Sequence, residues 1–211
     1  MAGNWHSHFR NHHPVVLELA CGRGEYTVAL SQLFPDQNFI GVDIKGNRMY
    51  IGAKQALNAG ITNAAFLRTQ IMMIPDYFHP GEVNEIWITF PDPHLRTSKA
   101  KKRLTHPRFL RLYQQILRPG GSIHLKTDSP QLYKFTKQVA GMYHLEVEED
   151  YNDVHHQNHS AVLKIKTHYE ALDIAGTKTI YYLKFKLPLP LPNKDEELHA
   201  LIKETENREP G

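Results

Sequence analysis

Short apolar runs alternate with stretches of helical spacing along the chain, the rhythm of a sheet whose strands are separated by helices packed on both faces. Residues 15–19 read as a first strand, and 24–33 as a helix that starts directly after a glycine turn. A second strand at 39–44 leads to a helix near 47–58 and a third strand at 64–68. A fourth, buried strand at 85–90 is stopped by Pro91 and Pro93. Pro107 stands where a first helical turn begins, and Phe109, Leu112, Tyr113, Ile116 and Leu117 follow at helical spacing. Pro119-Gly120-Gly121 ends that helix ahead of a fifth strand at 122–126, and Ser129-Pro130 caps a helix running to about residue 141. Strands at 144–147 and 179–186 follow, separated by a long, polar, His-containing insertion. The pattern predicts an α/β body of seven strands over 15–187, with an extension (1–14) before it. Pro188, Pro190 and Pro192 then lead into an acidic tail (188–211), either a short helix or disordered.

Composition narrows the class. The 211 residues suit one domain, and 41% hydrophobic with 22% charged residues excludes a disordered tail or a fibrous protein. No run of about 18 apolar residues occurs, so no membrane-spanning helix is expected, and residues 1–14 lack the apolar core of a signal peptide. The single cysteine, Cys21, excludes an intramolecular disulfide framework and a tetrahedral cysteine zinc site; it fits a reducing, cytoplasmic setting. Cys21 itself is expected to pack in the turn.

The net charge of +3 is uninformative until it is divided. Between Asp92 and Asp128 there is no acid, while Arg96, Lys99, Lys101, Lys102, Arg103, Arg108, Arg111, Arg118 and Lys126 supply nine of the 25 basic residues. The tail carries six acids against three bases, which leaves the body near +6. Such a concentrated field attracts phosphates, and a polyanion is held by counterion release. A solvated basic face stays open on charge alone.

Glu18-Leu19-Ala20-Cys21-Gly22-Arg23-Gly24 joins the first strand to the first helix, at the carboxyl end where open α/β sheets bind ligands. A dinucleotide fingerprint needs a third glycine where Thr27 stands, and the Gly-Lys-Ser/Thr of a phosphate loop is absent. What remains is a strand-ending Glu18, a glycine turn, and Asp43 closing the second strand. Asp43 can accept both hydroxyls of a ribose, and Glu18 suits a cationic amino-acid end. Together these resemble the S-adenosylmethionine site of class I methyltransferases, whose first motif is acid-x-Gly-x-Gly-x-Gly, with Ala20 standing at its first glycine. For the turn alone, a purely structural packing role stays open. Gln70, ending the third strand, falls where an acid often contacts the adenine region.

Phe90-Pro91-Asp92-Pro93 ends the fourth strand on the same rim, and its two prolines fix the carboxylate at little ordering cost. Arg96 through Arg103 follow directly, so a cofactor cleft, a buried acid and a phosphate-binding loop are expected side by side. The block resembles the bacterial tRNA (guanine-N7)-methyltransferase family, whose signature is Phe-Pro-Asp-Pro-Trp followed by Lys and an Arg/Lys-rich run. Leu125-Lys126-Thr127-Asp128 is similar to the family's next motif, and Thr167-His168-Tyr169-Glu170 to its C-terminal Thr-x-aromatic-Glu. The motifs occur in order over about residues 15–187. Two departures stand out: His94 replaces the Trp, and the basic run reads Lys101-Lys102-Arg103 after Thr97 and Ser98. The segment before the first strand is also shorter than the family's, which reads as a truncated or divergent start.

The resemblance implies a Rossmann-like class I methyltransferase with a seven-stranded, mostly parallel sheet, S-adenosylmethionine as cofactor and tRNA as partner. The reaction it implies is in-line methyl transfer to N7 of guanosine 46 in the variable loop. It assigns Asp92 as catalytic, and Glu18, Gly22, Gly24, Asp43, Gln70 and Asp92 to the cofactor. Arg96, Asp128, Thr167, His168, Tyr169 and Glu170 fall to the substrate, and Ser98, Lys99, Ala100, Lys101, Lys102 and Arg103 to an RNA-binding loop. Each has a plainer alternative: Asp128 as a helix cap, Thr167 as the cap of a helix exposing Glu170, Asp92 as a turn residue. Tyr181, Tyr182 and Phe185 alternate along a strand as core. Neither the early histidines (His6, His8, His12, His13) nor the later ones (His155, His156, His159) have a carboxylate or thiol set at catalytic spacing, so no metal is expected. Monomer and homodimer both stay open.

Overall fold

A computed structural model of the chain describes residues 2–155, 160–167 and 179–208. The strands are β1 (Val15–Leu19), β2 (Asn38–Asp43), β3 (Ala64–Arg68), β4 (Val83–Thr89), β5 (Leu117–Thr127), β6 (Glu146–Tyr151) and β7 (Tyr181–Lys186). They form one sheet in the order β3-β2-β1-β4-β5-β7-β6. The first five pair in parallel, and β7 runs antiparallel between β5 and β6. The order reverses between β1 and β4, the switch point where ligands enter such sheets.

The helices are α1 (Trp5–Phe9), α2 (Glu25–Leu33), α3 (Gly46–Asn58), α4 (Pro107–Ile116), α5 (Pro130–Met142) and α6 (Asp195–Arg208), with short 3-10 turns at Ile71–Asp76 and Thr97–Lys102. Strand alternation divides the core. Leu17, Leu19, Ile40, Ile88, Ile123 and Leu125 pack with Leu110 of α4, Phe135 of α5 and Ile202 of α6. On the opposite face Val16, Phe39, Trp87 and Tyr182 meet Tyr26 and Leu30 of α2 and Leu163 of the insertion. Each large apolar side chain so buried contributes about 1.5–3 kcal/mol. Tyr182 and Phe185 are therefore core residues, at 3% and 0% exposed.

Ser129 caps α5, its hydroxyl accepting from the Leu132 amide at 3.2 Å, which removes the cap reading of Asp128. Residues 119–121 do not merely end α4. Gly121 lies so close to Asn84 that a Cβ there would be 2.7 Å from its carbonyl oxygen, and the segment forms an irregular start to β5. The sixth strand lies later than its apolar content indicates. It is an edge strand held by charge, with Glu148 bridging Lys184 and Lys186, so hydrophobic periodicity does not mark it.

Both ends pack onto the body. The Trp5 indole donates to the Tyr77 carbonyl at 2.9 Å and stacks on Phe78. From Asp195 to Arg208 the tail is helical: Arg111 grips the Asp195 carboxylate at 2.6 and 3.0 Å, Tyr143 donates to it at 2.7 Å, and Leu198 and Ile202 are buried.

Candidate active site

The carboxyl ends of β1, β2, β4 and β5 open into one cleft of about 460 Å³, within the usual range for small-molecule sites. Glu18, Gly22, Asp43, Asp92, Asp128 and Thr167 all line it. Six residues separated by up to 149 positions in sequence thus converge at the switch point.

Glu18 sits low in the cleft and is 3% exposed. One carboxylate oxygen accepts from the amide (2.8 Å) and hydroxyl of Thr27, the other from the Thr89 hydroxyl at 2.6 Å. Thr27, which stands where a dinucleotide fingerprint has its third glycine, is thus the donor that fixes Glu18. Burial disfavours the charged form and pushes the Glu18 carboxyl up to about 7, against the opposing pull of those hydrogen bonds. Asp43 ties the glycine turn to β2, accepting from the Gly22 amide at 2.9 Å and the Lys45 amide at 2.8 Å. A carboxylate has about four acceptor sites, so Asp43 retains capacity for two hydroxyls and Glu18 for one further donor.

The turn is conformationally expensive. Ala20, Gly22 and Gly24 all adopt positive φ, at 57°, 55° and 72°. Gly24 is required twice over, since a Cβ there would stand 2.4 Å from the Phe66 ring. A Cβ at Gly22 would meet nothing within 4 Å, so at that point bare backbone faces the cleft. Open backbone, a ribose-competent acid and a buried carboxyl suited to an ammonium fit an S-adenosylmethionine-type ligand.

The opposite wall is the Phe90–Pro93 turn. Phe90 and His94 have φ of 46° and 44°, outside ordinary L-residue space. Pro91 is buried, but Asp92, expected to be a buried acid, is exposed, its side chain 71% accessible. It accepts from the His94 amide at 3.0 Å, with the His94 imidazole at 3.6 Å. The two prolines fix the backbone and leave the carboxylate in solvent, which is why fixed position did not entail burial.

The basic run divides between outside and inside. Ser98, Lys99, Lys101 and Lys102 are exposed on the 3-10 turn. Ala100 and Arg103 point inward and are 3% and 7% exposed. Arg103 donates to the carbonyls of Pro93, His94 and Leu95 and lies 4.5 Å above the Phe135 ring, so it braces the Asp92 turn from behind. Arg111 is held by Asp195, and Arg118 sits at the amino end of β5, across the sheet from the cleft.

Lys126 was counted with the basic field, yet it is 0% exposed. Its ammonium donates to the Leu163 and Ile165 carbonyls at 3.0 and 2.7 Å and faces the rings of Tyr26 and Phe90, each 5.5 Å away. Together with the Tyr26 hydroxyl, which donates to the Val162 carbonyl at 2.6 Å, it docks the turn at 161–164 and the residues after it that bring Thr167 to the cleft. The signal was its parity: Lys126 shares the face of His124, which is buried, in a strand covered on both sides.

Three residues expected at the site do not line the cleft: Gly24, set against the Phe66 ring, Gln70 and Arg96. Gln70 is exposed at the end of β3, and Arg96 lines a neighbouring groove instead. His168, Tyr169 and Glu170 lie outside the described residues, as do His156 and His159. Arg23, Lys45 and Arg48 line the cleft without having been singled out. Among the described residues no group of three or more His, Cys, Asp or Glu side chains is placed to hold a metal ion, and no helix is long and apolar enough to cross a membrane.

A methyltransferase family model (Methyltransf_4) matches residues 12–183. The chain is 50% identical over 193 residues to the tRNA (guanine-N(7)-)-methyltransferase of Porphyromonas gingivalis, covering 90% of this chain and 78% of that protein. It is 45% identical to the protein of the same name from Christiangramia forsetii, covering 89% and 85%. Among solved structures it is similar to the 16S rRNA methyltransferase KamB, with a TM-score of 0.68 at 18% identity over 89% of this chain and 94% of that one. A 16S rRNA (adenine(1408)-N(1))-methyltransferase from Catenulisporales acidiphilia gives 0.64 at 15% identity, over 88% and 92%. The structural likenesses speak to the fold, which is the Rossmann-like class I methyltransferase arrangement.

Proposed function

The chain belongs to the tRNA (guanine-N7)-methyltransferase family, and from that premise we propose that it methylates N7 of guanosine 46 in the tRNA variable loop, using S-adenosylmethionine. The observation that carries this reading is the meeting of Glu18, Asp43, Asp92, Asp128 and Thr167 in one cleft, with the exposed Lys99 and Lys102 close to His94 of the turn that bears Asp92. S-adenosylmethionine, held by Glu18, Asp43 and the Gly22 backbone, would supply an electrophilic methyl group; the unprotonated in-plane lone pair of N7 would accept it by in-line displacement as the methyl–sulfur bond breaks and the thioether leaves, with no general base.

The chain's own residues then position and stabilise. Asp43 accepts the ribose hydroxyls, the Gly22 backbone lies against the ligand, and ionised Glu18 accepts from its ammonium. Asp92 is the catalytic carboxylate: with Asp128 it accepts from the guanine N1–H and amino group and stabilises the positive charge that develops on the ring. Thr167, with Glu170, closes the pocket, and the exposed lysines hold phosphates that keep the base aligned. A tRNA substrate and a single buried thiol fit a cytoplasmic setting.

The test is transfer of a tritiated methyl group to an unmodified tRNA transcript, followed by borohydride and aniline cleavage mapped on a sequencing gel. Cleavage at guanosine 46 is the expected outcome. Methyl incorporation without aniline cleavage would overturn the N7 assignment, and cleavage at another guanosine would overturn the position.

A further inference from the structure

Beside the cleft lies a second cavity of about 380 Å³, bounded by the Leu95–Thr97 segment, the outer face of α5 and Ile202 of α6. We infer that this groove holds the nucleotide next to the target guanosine in the same RNA strand. The inference rests on the tRNA-methylation reading above and extends it from the reacting base to the strand that carries it.

Continuity with the active site is the first argument. Pro93 lines the cleft and Leu95 the groove; Asp128 lines the cleft and Pro130 the groove. On both elements the two cavities are only two residues apart, a separation of at most about 7 Å along extended chain. A strand whose base enters the cleft must place its neighbour on or just over that ridge. The ridge is also stiff. Arg103 bonds three consecutive carbonyls on its underside and packs on Phe135, which forms part of the groove.

Chemistry is the second. A nucleotide presents a phosphate, a planar face and a polar base edge. The groove meets them in turn with the exposed cations Arg96 and Lys134, the apolar side chains of the exposed Leu95 (60%) and of Phe135, and the amides of Gln131 and Gln138. Gln131, Lys134 and Gln138 are three and four residues apart on α5, so they form one stripe along a single helix face. Among the described residues no acidic side chain lines the groove. A basic, amide-rich wall over an apolar floor is complementary to RNA and poorly matched to an acceptor-poor or cationic ligand.

The experiment uses the full-length chain and an unmodified tRNA transcript. With a photoreactive benzoylphenylalanine in place of Gln138, irradiation of the complex should give reverse-transcription stops within one or two nucleotides of the methylated guanosine. Lys134→Gln should raise KM for tRNA several-fold with little change in kcat, and lower the salt slope of tRNA binding by about one ion. Arg118→Gln removes the same charge at the opposite end of the sheet and should change neither. Stops elsewhere or none, or a Lys134→Gln profile equal to that of Arg118→Gln, would overturn the groove assignment while the wild-type aniline cleavage stands. If the wild-type chain yields no N7-methylguanosine, the parent reading fails and takes this one with it.

Discussion

On the β1–β2 wall of the cleft, Glu18 and Asp43 are bound by the chain's own donors: two threonines on one, the Gly22 and Lys45 amides on the other. Across the cleft, on the β4–β5 wall, Asp92 stands in solvent with the His94 backbone and ring as its described partners. The first pair of carboxylates is part of the fold and is used a second time for ligand binding. The second wall holds its acid ready through a constrained turn that Arg103 braces from behind. Removing Glu18 or Asp43 should therefore cost structure as well as function, and removing Asp92 function only.

Asp92→Ala gives the largest expected effect. Turnover should fall by about 10²–10³, the usual loss when a preorganised charge-stabilising group is deleted. The urea midpoint should hardly move, because exposed substitutions typically stay within about 0.5 kcal/mol. A matching loss of stability would erase the contrast between the walls. Glu18→Ala is the converse case. It leaves the Thr27 amide and two hydroxyls without their acceptor in a buried place, at a cost on the order of 3 kcal/mol by urea denaturation.

Glu18 also makes the first wall sensitive to pH. Its carboxyl is raised by burial from the ordinary 4.5 to about 7, so between those values the folded chain keeps a proton that the unfolded chain releases. Stability of the ligand-free protein should therefore fall as pH rises through that window and level off above it. Affinity for S-adenosylmethionine should move the other way, tightening as pH rises through 7, because its ammonium favours the ionised carboxylate. Titration calorimetry in buffers of different ionisation heat would register the accompanying proton release. No release at pH 6, or a stability slope that persists in Glu18→Gln, would assign the effect to another group.

The second wall rests on an interior cation, and here sequence reading reached its limit. The strand-ending acids were legible because an apolar run of four to six residues followed by Glu, Asp or Asn-like turn chemistry fixes both the element and its rim. Cations carry no such mark. Lys102 and Arg103 are neighbours of the same sign, yet one is exposed and the other is buried under the Asp92 turn, held by the Phe135 ring and the carbonyls of Pro93, His94 and Leu95, contacts that are distant in sequence or carry no side-chain mark. Lys126 was readable in principle, since strand parity aligns it with His124, but knowing that this face is covered requires the insertion that covers it. The tail helix likewise showed its Leu198 and Ile202 at helical spacing, while its acids drew attention to charge. Lys126→Met should preserve the apolar stem and its ring contacts. Stability should fall by about 1–3 kcal/mol, since the Leu163 and Ile165 carbonyls lose their donor, while kcat/KM for tRNA falls about tenfold as the Thr167 segment loosens. Unchanged affinity for S-adenosylmethionine would place the defect on the second wall, and equal losses of both affinities would mean that Lys126 supports the whole cleft.

The smallest expected effect tests how far the first wall is strained. Ala20 occupies the position of the motif's first glycine, and its φ of 57° is one that side-chain-bearing residues adopt at a cost of about 1–2 kcal/mol. Glycine there relieves the Cβ clash but gives the unfolded chain more freedom, which offsets part of the gain. Ala20→Gly should thus stabilise the protein by about 1 kcal/mol, read as a shift of the urea midpoint at constant slope. Because Ala20 lines the cleft directly beside Gly22, the substitution also reports on ligand geometry. If affinity for S-adenosylmethionine stays constant while stability rises, the strain belongs to the turn alone. A gain in both would show that the alanine holds the first wall slightly away from its binding conformation.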